Sequence, residues 1–342
     1  MRFPAAGSGV YVASVLVMAL AVSFGWWAGA LRPDTRPALT SALDVMPFRT
    51  NVVGFTDWAQ IREEPGLDAA ARRDLTTRSV IEGSVENMRE VLGWSPADVE
   101  WEVYGQDPAG SAAVVRLDRS VSFEDVREKL RSAGYRQDSQ GWTAAETAGL
   151  PDILTRIALV PRQRLLVLSG RSAHTSRVID VIDGKARSLA ASHAAAVTAQ
   201  ALAGSHSAIL QDGTLGCEST AVTGDEPREQ QARAAVDRAG GLESYRYSGR
   251  GVVDAGGSGF SAQRVVFAMT FDSAVAASEQ AQVRARLATG PFIGRTGQLD
   301  ETLRLRSTTS DEATVRLDFA HDPDSQVFMT GTGPVLFAAC DA

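Results

Sequence analysis

The chain has 342 residues, of which 22% are charged and 44% hydrophobic, proportions typical of a globular protein. Its formal net charge of -7 argues against broad nucleic-acid binding, because that binding depends on positive side chains that neutralise phosphates. Four histidines and two cysteines leave few groups for metal binding or nucleophilic catalysis.

The N-terminal segment is the most definite feature. No charged residue lies between Arg2 and Arg32, and the apolar run Val10–Leu31 is long enough, at 1.5 Å per helical residue, to cross a hydrocarbon layer about 30 Å thick. Aromatic residues typical of a membrane interface lie near its ends, namely Tyr11, Trp26 and Trp27. Residues 1–31 are therefore predicted to be a retained membrane anchor or an uncleaved signal segment.

A cleaved signal peptide is the alternative. Ala28-Gly29-Ala30 fits the small-x-small pattern of a cleavage site, and cleavage near Ala30 would give a secreted protein. The length of the apolar run favours retention.

The two cysteines, Cys217 and Cys340, indicate which side of the membrane holds the bulk of the chain. An even, minimal count in an exported chain favours one disulfide, and each cysteine ends or follows an apolar run that reads as a strand. Two buried thiols are the alternative; metal binding is weaker, because neither cysteine has a second ligand at suitable spacing. A bridge predicts a single-pass cell-membrane protein with most of its chain extracytoplasmic.

Residues 32–47 contain three prolines and no clear period, and they predict a linker. A short strand and a helix over residues 58–63 follow, the helix with Asp57 and Gln60 at capping-box spacing. Apolar residues at helical spacing then predict a long helix over Leu67–Leu92.

The pattern then alternates between strands and capped helices. Val99–Tyr104 and Ala112–Leu117 are predicted to pair as antiparallel neighbours. Further strands are predicted at Trp142, Ile157–Val160 and Leu165–Leu168, and helices over Glu124–Ser132, Ala173–Asp183 and Leu189–Ala203.

After Gly204 the order of elements starts again. Strands are predicted at residues 207–212, Tyr245–Val253, Arg264–Phe271, Thr302–Arg306, Thr314–Phe319, Gln326–Thr330 and Pro334–Ala339, and helices at residues 227–238 and Ala274–Leu287. The repeated order predicts an internal duplication, with a first α+β half over residues 48–204 and a second over residues 205–342. The predicted fold class is α+β: an N-terminal transmembrane helix, then an exodomain of two similar halves with antiparallel sheets packed against helices.

A resemblance accompanies this pattern. The anchor, the opening TNVVGFTDW and the passage SLAASH…ALAGSHSAIL resemble uncharacterised single-pass membrane-anchored exported proteins of GC-rich Gram-positive bacteria. This resemblance implies an α+β exodomain and brings no catalytic residues.

Candidate site residues are few. His174 and His193 fall on predicted helices and are expected at the surface or in packing, and His206 falls at a helix-to-strand turn. Next to His321, Asp318, Asp322 and Asp324 could hold a hard cation, although a polar hairpin loop is the commoner meaning of such a cluster. Thr56-Asp57-Trp58 is the best local signature, interpreted as a cap with packing rather than a ligand platform. No catalytic residue, cofactor or metal ligand is predicted.

The sequence therefore favours a non-catalytic, membrane-anchored binding or scaffolding protein of the cell envelope. Its expected partners are the membrane, through the N-terminal helix, and other envelope proteins or a ligand held between the two halves, but not nucleic acid. An exported hydrolase with an unrecognised site is the alternative; it would show histidine and acidic groups converging in a deep pocket. An assembly factor would show an exposed apolar patch.

Overall fold

Antiparallel strand pairing organises the molecule. The computed structural model describes residues 36–83, 88–144, 150–293, 297–323 and 333–340, and within these ranges twelve strands form one sheet. The strands are β1 (Val52–Thr56), β2 (Val99–Asp107), β3 (Gly110–Leu117), β4 (Arg136–Asp138), β5 (Gly141–Thr143), β6 (Arg156–Val160), β7 (Leu165–Ser169), β8 (Ser207–Asp212), β9 (Tyr247–Asp254), β10 (Gln263–Thr270), β11 (Leu303–Asp311) and β12 (Thr314–His321).

Helices cover both faces of this sheet. They are α1 (Ala38–Leu43), α2 (Trp58–Glu63), α3 (Leu67–Ala70), α4 (Met88–Leu92), α5 (Phe123–Ser132), α6 (Ser172–Ile182), α7 (His193–Ala201), α8 (Gly213–Thr220), α9 (Glu226–Ala239) and α10 (Ala274–Leu287). The α+β class with a large antiparallel sheet is confirmed, although one sheet replaces the separate sheets that the sequence suggested.

The strand order is β11-β12-β10-β9-β8-β1-β2-β3-β7-β6-β5-β4, with β1 and β8 as neighbours near its middle. Outward from β1 the order is β1-β2-β3-β7-β6, and outward from β8 it is β8-β9-β10-β12-β11. Both sets of strands belong to one compact unit, Pro37–Ala342, and we use first half and second half only as names for residues 48–204 and 205–342. The two orders match position by position, and the β4–β5 hairpin extends the outer edge of the first half.

The strands near the middle of the sheet are buried on both faces, because helices cover both sides of it. In β3, Ala113, Val115 and Leu117 enter a larger core, whereas Ala112 and Val114 enter a smaller core on the opposite face. Helices α2, α5 and α10 contribute buried apolar residues to the larger core, and α1, α6 and α7 contribute them to the smaller. Helix α9 packs on α10 through a third apolar cluster.

Helix caps account for several boundaries that the sequence predicted. The Ser273 side chain accepts a hydrogen bond from the Ala276 amide at the start of α10, and Ser122 accepts one from Asp125 at the start of α5. Such caps satisfy amides that have no partner inside the helix. The predicted bounds of α10 are confirmed to the residue.

The long helix predicted over Leu67–Leu92 is wrong. Helix α3 ends at Ala70, a 3-10 turn follows, and Asp74 adopts a left-handed conformation with φ 56°. Leu75 and Ile81 are nevertheless buried, because the loop that carries them is held against the sheet by hydrogen bonds to Glu102. Tertiary contacts override the local helical period here.

The linker prediction fails for residues 38–47. Helix α1 lies inside the predicted linker, and Leu39, Leu43 and Met46 are fully buried in the smaller core. The Leu189 amide donates to the Met46 carbonyl at 2.7 Å, which fixes the end of this segment to the body. Helix α1 has only six residues, too few for its apolar residues to show a helical period in the sequence. A helix this short is stabilised by burial against the body rather than by its own helical propensity.

The predicted anchor, Val10–Leu31, lies outside the described residues, as does the predicted strand Gln326–Thr330. Within the described ranges, no helix combines the length and the apolar character needed to cross a membrane.

The disulfide Cys217–Cys340 is confirmed, with 5.1 Å between the two Cα atoms. Neither cysteine lies on a strand: Cys217 is in α8, and Cys340 follows a 3-10 turn at Leu336–Ala338 where a strand was predicted. The Thr220 hydroxyl and the Tyr245 hydroxyl both donate to the Ala338 carbonyl at 3.0 Å. These two bonds satisfy the Ala338 carbonyl without strand pairing.

Arg284 holds the same segment from inside. Its side chain is fully buried and donates to the carbonyls of Phe337, Ala339 and Glu243 at 2.8–2.9 Å. Burial lowers the pKa of Arg284 to about 10, so the group remains a cation at neutral pH. The guanidinium carbon also lies 5.5 Å from the Tyr245 ring centroid.

Replacing both cysteines (C217S/C340S) should lower the free energy of unfolding. The bridge joins residues 123 positions apart, for which chain entropy predicts a loss of about 4–5 kcal/mol. Urea unfolding of the variant and of the oxidised and reduced wild type measures it. Reduced wild type should match the variant; equal stability of the oxidised and reduced wild type would contradict a stabilising bridge.

Candidate functional site

His206 occupies a buried position at one end of the β1–β8 pair. Its Nδ1 accepts a hydrogen bond from the Asp254 amide at 3.2 Å, and the ring donates toward the Glu64 carbonyl. Nδ1 therefore carries no proton, and the donor is Nε2. Burial lowers the pKa of His206, which keeps it neutral. Backbone groups use both ring nitrogens, so this histidine serves structure.

His321 lies in the same polar region. Its Nδ1 is 2.8 Å from Gln263 Oε1, and the Gln263 amide donates to the Arg73 carbonyl. Arg73 in turn donates to both carboxylate oxygens of Asp254, whose side chain is fully buried. The structure therefore connects His206 to His321 through a buried polar network that joins the two halves.

The acidic cluster predicted near His321 is divided. Asp318 accepts hydrogen bonds from Arg264 and Arg316, so two cations neutralise it. Asp324 lies outside the described residues. No group of three or more metal-ligating side chains occurs in the part of the chain that the structure describes.

His174 and His193 have the packing and surface positions expected of them. His193 is exposed, whereas His174 is buried against the turn between β2 and β3. Gly110 in that turn has φ 141°, and a Cβ there would lie 1.7 Å from His174 Cε1. Glycine is therefore required for this close approach.

Asp57, Trp58 and Glu102 form the buried cluster that the signature Thr56-Asp57-Trp58 pointed to. Glu102 accepts hydrogen bonds from Trp58 Nε1, the Ser79 hydroxyl and the Val80 amide at 2.7–3.1 Å. Asp57 caps α2 by accepting from the Gln60 amide at 3.0 Å. These bonds cap α2 and tie the loop that carries Ser79 and Val80 to β2.

Burial raises the pKa of both carboxyl groups of this cluster. For Asp57 the rise is from 3.8 to about 6, reduced in part by the backbone hydrogen bonds of the cap. For Glu102 burial again dominates over the hydrogen bonds from the loop. The cluster holds the loop at residues 74–83 over the larger core.

A cleft lies at the opposite end of the β1–β8 pair, where β2 and β8 end and β9 begins. We call it the junction cleft; its volume is about 540 Å³. Its walls come from both halves: Phe48, Arg49, Thr50, Asn51, Asp107, Pro108, Ala109, Arg177, Leu189 and Ser192 from the first, and Asp212 and Tyr247 from the second.

Two polar pairs fix the walls of the junction cleft. Arg177 Nη1 lies 2.8 Å from Asp107 Oδ2, and Asn51 Nδ2 donates to Asp212 Oδ2 at 2.6 Å. The second pair crosses between halves, and Asp212 also caps α8 through Oδ1. Burial raises the pKa of Tyr247, whose hydroxyl donates to the Thr50 carbonyl.

An aromatic residue lies at the rim of this cleft. Phe48 is 37% exposed, and the Arg187 guanidinium carbon lies 4.1 Å from its ring centroid. The Phe48 amide donates to the Arg187 carbonyl at 3.1 Å, which holds the two residues together. An exposed arginine-aromatic pair beside fixed polar groups is suited to binding a partner.

Sequence reasoning expected a ligand surface between the halves but did not name these residues. Asp107 and Arg177 are 70 positions apart, and Asn51 and Asp212 are 161 apart. One local signal was available: the QDPAGS turn, in which Asp107 accepts from the amides of Ala109 and Gly110. That signal marks a turn and not a cleft.

No protein-family model matches the chain, and no curated protein matches it. Two solved structures are similar over most of its length, both of TP0453. Crystal form I has a TM-score of 0.37 and 9% identity, over 82% of this chain and 91% of that chain. Crystal form III has a TM-score of 0.37 and 6% identity, over 86% and 96%. Scores this low support no conclusion about function.

Replacing Asp57 with asparagine should change the pH dependence of stability. Because the folded pKa of about 6 exceeds the unfolded 3.8, the folded wild type holds an extra proton between these values. Wild-type stability should therefore fall relative to D57N as pH rises from about 4 to 7, by about 2 kcal/mol. Asparagine keeps the oxygen that caps α2.

Urea unfolding of both proteins across this pH range measures the difference. D118N is the control, because the Ser120 amide lowers the pKa of Asp118 and the sign should reverse. A stability difference between wild type and D57N that stays constant from pH 4 to 7 would show that Asp57 is not shifted upward.

Proposed function

We propose that this chain is a membrane-anchored, extracytoplasmic, non-catalytic protein that binds a partner in the junction cleft. The observation that carries the proposal is that both halves supply the walls of the cleft, through Asp107–Arg177 and Asn51–Asp212. Its volume lies within the range of about 300–1,000 Å³ that ligand sites occupy.

The distribution of exposed apolar residues favours binding in a cleft rather than on a broad apolar docking face. In the described ranges the exposed large hydrophobic residues are Phe48, Leu67 and Val275, each on a different part of the chain. Scattered apolar residues are ordinary on a soluble surface. Phe48 differs from the other two because it lines a cleft and because the Arg187 guanidinium stacks over its ring.

The chemistry of the cleft favours a polypeptide segment of another envelope protein. Arg49 is an exposed cation at the rim, and Arg177 shares its charge with Asp107. A partner with a carboxylate near an apolar side chain would meet Arg49 and Phe48 together. Electrostatic complementarity of this kind selects a partner more than it adds affinity.

The extracytoplasmic location rests on two features of the chain. The uncharged run Val10–Leu31 has the length of a membrane-spanning helix. The Cys217–Cys340 bridge is typical of an oxidising compartment, because the reducing cytosol keeps cysteines as free thiols. Together they favour a retained anchor with the body outside the cytoplasm.

We also propose that the two halves arose by duplication. The support is the shared order of strands outward from β1 and from β8, together with the helix that follows the third strand in each half. A fold of this origin would place its cleft where the two copies meet.

Cysteine labelling tests the topology. Val275 is 68% exposed, so V275C should react with a membrane-impermeant maleimide on intact cells. Wild type is the control and should stay unlabelled, because its two cysteines are bridged. Labelling of V275C only after lysis would contradict the extracytoplasmic location, and a mature N-terminus at Leu31 would contradict the anchor.

Site-specific photocrosslinking tests the junction cleft. A benzoylphenylalanine at position 48 in the full chain should give an adduct of one discrete mass in intact membranes. The same residue at position 275 is a matched control, since Val275 is exposed but lies outside the cleft. Adding R177E should reduce the position-48 adduct about tenfold by setting two acidic groups side by side.

Identical adducts at positions 48 and 275, or an adduct at 48 that R177E leaves unchanged, would contradict binding in the junction cleft. Far-ultraviolet circular dichroism of the R177E variant checks that the fold persists.

A further inference from the structure

A second concave site lies between α9, α10 and the C-terminal segment, away from the junction cleft. It is a cavity of about 230 Å³, which we call the α9–α10 cavity. Six apolar side chains form much of its lining: Leu287, Phe292, Ile293, Leu299, Leu336 and Phe337. Leu336 and Phe337 belong to the segment that Arg284 and the disulfide hold in place.

The charged residues of this lining have one sign. Arg238 and Arg286 line the cavity, and no aspartate or glutamate does. Both arginines are exposed, and within the described residues neither forms an ion pair or a side-chain hydrogen bond. With no carboxylate in the lining, these two arginines leave the mouth of the apolar cavity positively charged.

We propose that the α9–α10 cavity binds an anionic amphiphile: a carboxylate or phosphate held by Arg238 and Arg286, with an unbranched apolar tail against Leu336 and Phe337. The volume is below the range of about 300–1,000 Å³ for drug-sized ligands, so it takes a slender chain or its end. The guanidinium groups supply planar donors that fit either oxyanion.

The two arginines also have a structural use that the test must separate. Arg238 and Arg286 lie in the last turns of α9 and α10, where a cation is favourable beside the helix carbonyls. That effect changes stability by a few tenths of a kcal/mol to about 1 kcal/mol and needs no ligand. The test must therefore measure ligand binding itself, because a change in the free energy of unfolding could arise without any ligand.

The test uses the full chain in membranes and a decanoic acid probe that carries a tail diazirine and an alkyne. After irradiation, mass spectrometry should locate the label on the peptides that contain Leu287 to Ile293 or Leu336 and Phe337. Labelling should fall about tenfold in R238Q/R286Q. Excess decanoate should compete, whereas decyltrimethylammonium, with the same tail and a cationic head, should not.

The matched control is R119Q/R136Q, which removes the same charge from two exposed arginines outside the cavity and should label as wild type does. A235F, which fills the cavity from α9, should lose labelling while keeping its circular dichroism spectrum. The proposal is overturned if the label maps elsewhere, if both double variants lose labelling equally, or if the cationic competitor is as effective as decanoate.

Further competitors identify the source of the amphiphile. Phosphatidic acid in the bilayer and free decanoate present the same chemistry, an oxyanion on an apolar chain. Competition by phosphatidic acid as well as by decanoate would assign a membrane lipid, and competition by decanoate without phosphatidic acid would assign a free amphiphile. Either result supports the cavity, whereas failure of excess decanoate to reduce labelling would overturn it.

Discussion

The antiparallel pairing of β1 with β8 is the constraint on which the rest of the structure depends. Asn51, just before β1, and Asp212, at the end of β8, are 161 positions apart, yet the register from Val52↔Gln211 to Thr56↔Ser207 pairs β1 with β8 in one sheet. Because side chains alternate across a strand, a slip of one residue would turn every buried side chain of β1 or β8 to the opposite core. The same register sets the two ends of the pair, with the junction cleft at one and the His206 network at the other.

Two chemically different interactions hold the C-terminal segment to the body of the protein: the Cys217–Cys340 disulfide and the hydrogen bonds of Arg284. The disulfide removes conformations from the unfolded chain and depends on an oxidising environment. Arg284 instead uses carbonyl acceptors in the folded state and is independent of redox conditions. A buried charge without hydrogen bonds costs several kcal/mol, and three carbonyl acceptors with two aromatic faces offset that cost. The disulfide and Arg284 together fix the positions of Leu336 and Phe337, which form one wall of the α9–α10 cavity.

Sequence reasoning found the elements whose determinants are local. The N-cap at Ser273 and the glycine at Gly290 located α10, and period-two alternation located β2 and β3. The sequence predictions failed where residues far apart in the chain determine the structure. Residues 67–92 have a helical period, but hydrogen bonds to Glu102 on β2 hold Ser79 and Val80 in a loop. The same limit applies to the sites. His206 and His321 could be chosen by residue type, but their engagement through Asp254, Arg73 and Gln263 depends on strand pairing that no local pattern specifies.

The two ends of the β1–β8 pair differ in how much water reaches their ion pairs, and this difference separates their roles. At the His206 end, the Asp254 side chain is fully buried and Arg73 is 22% exposed, so loss of the pair would leave an unpaired carboxylate inside the protein. At the cleft end, Arg177 is 41% exposed beside Asp107 at 10%. Water and a partner's carboxylate can both reach that guanidinium, so exchanging its partner costs little. The ion pair at the His206 end is therefore the more deeply buried of the two, and the more exposed pair at the cleft end is consistent with the binding role we propose for the cleft.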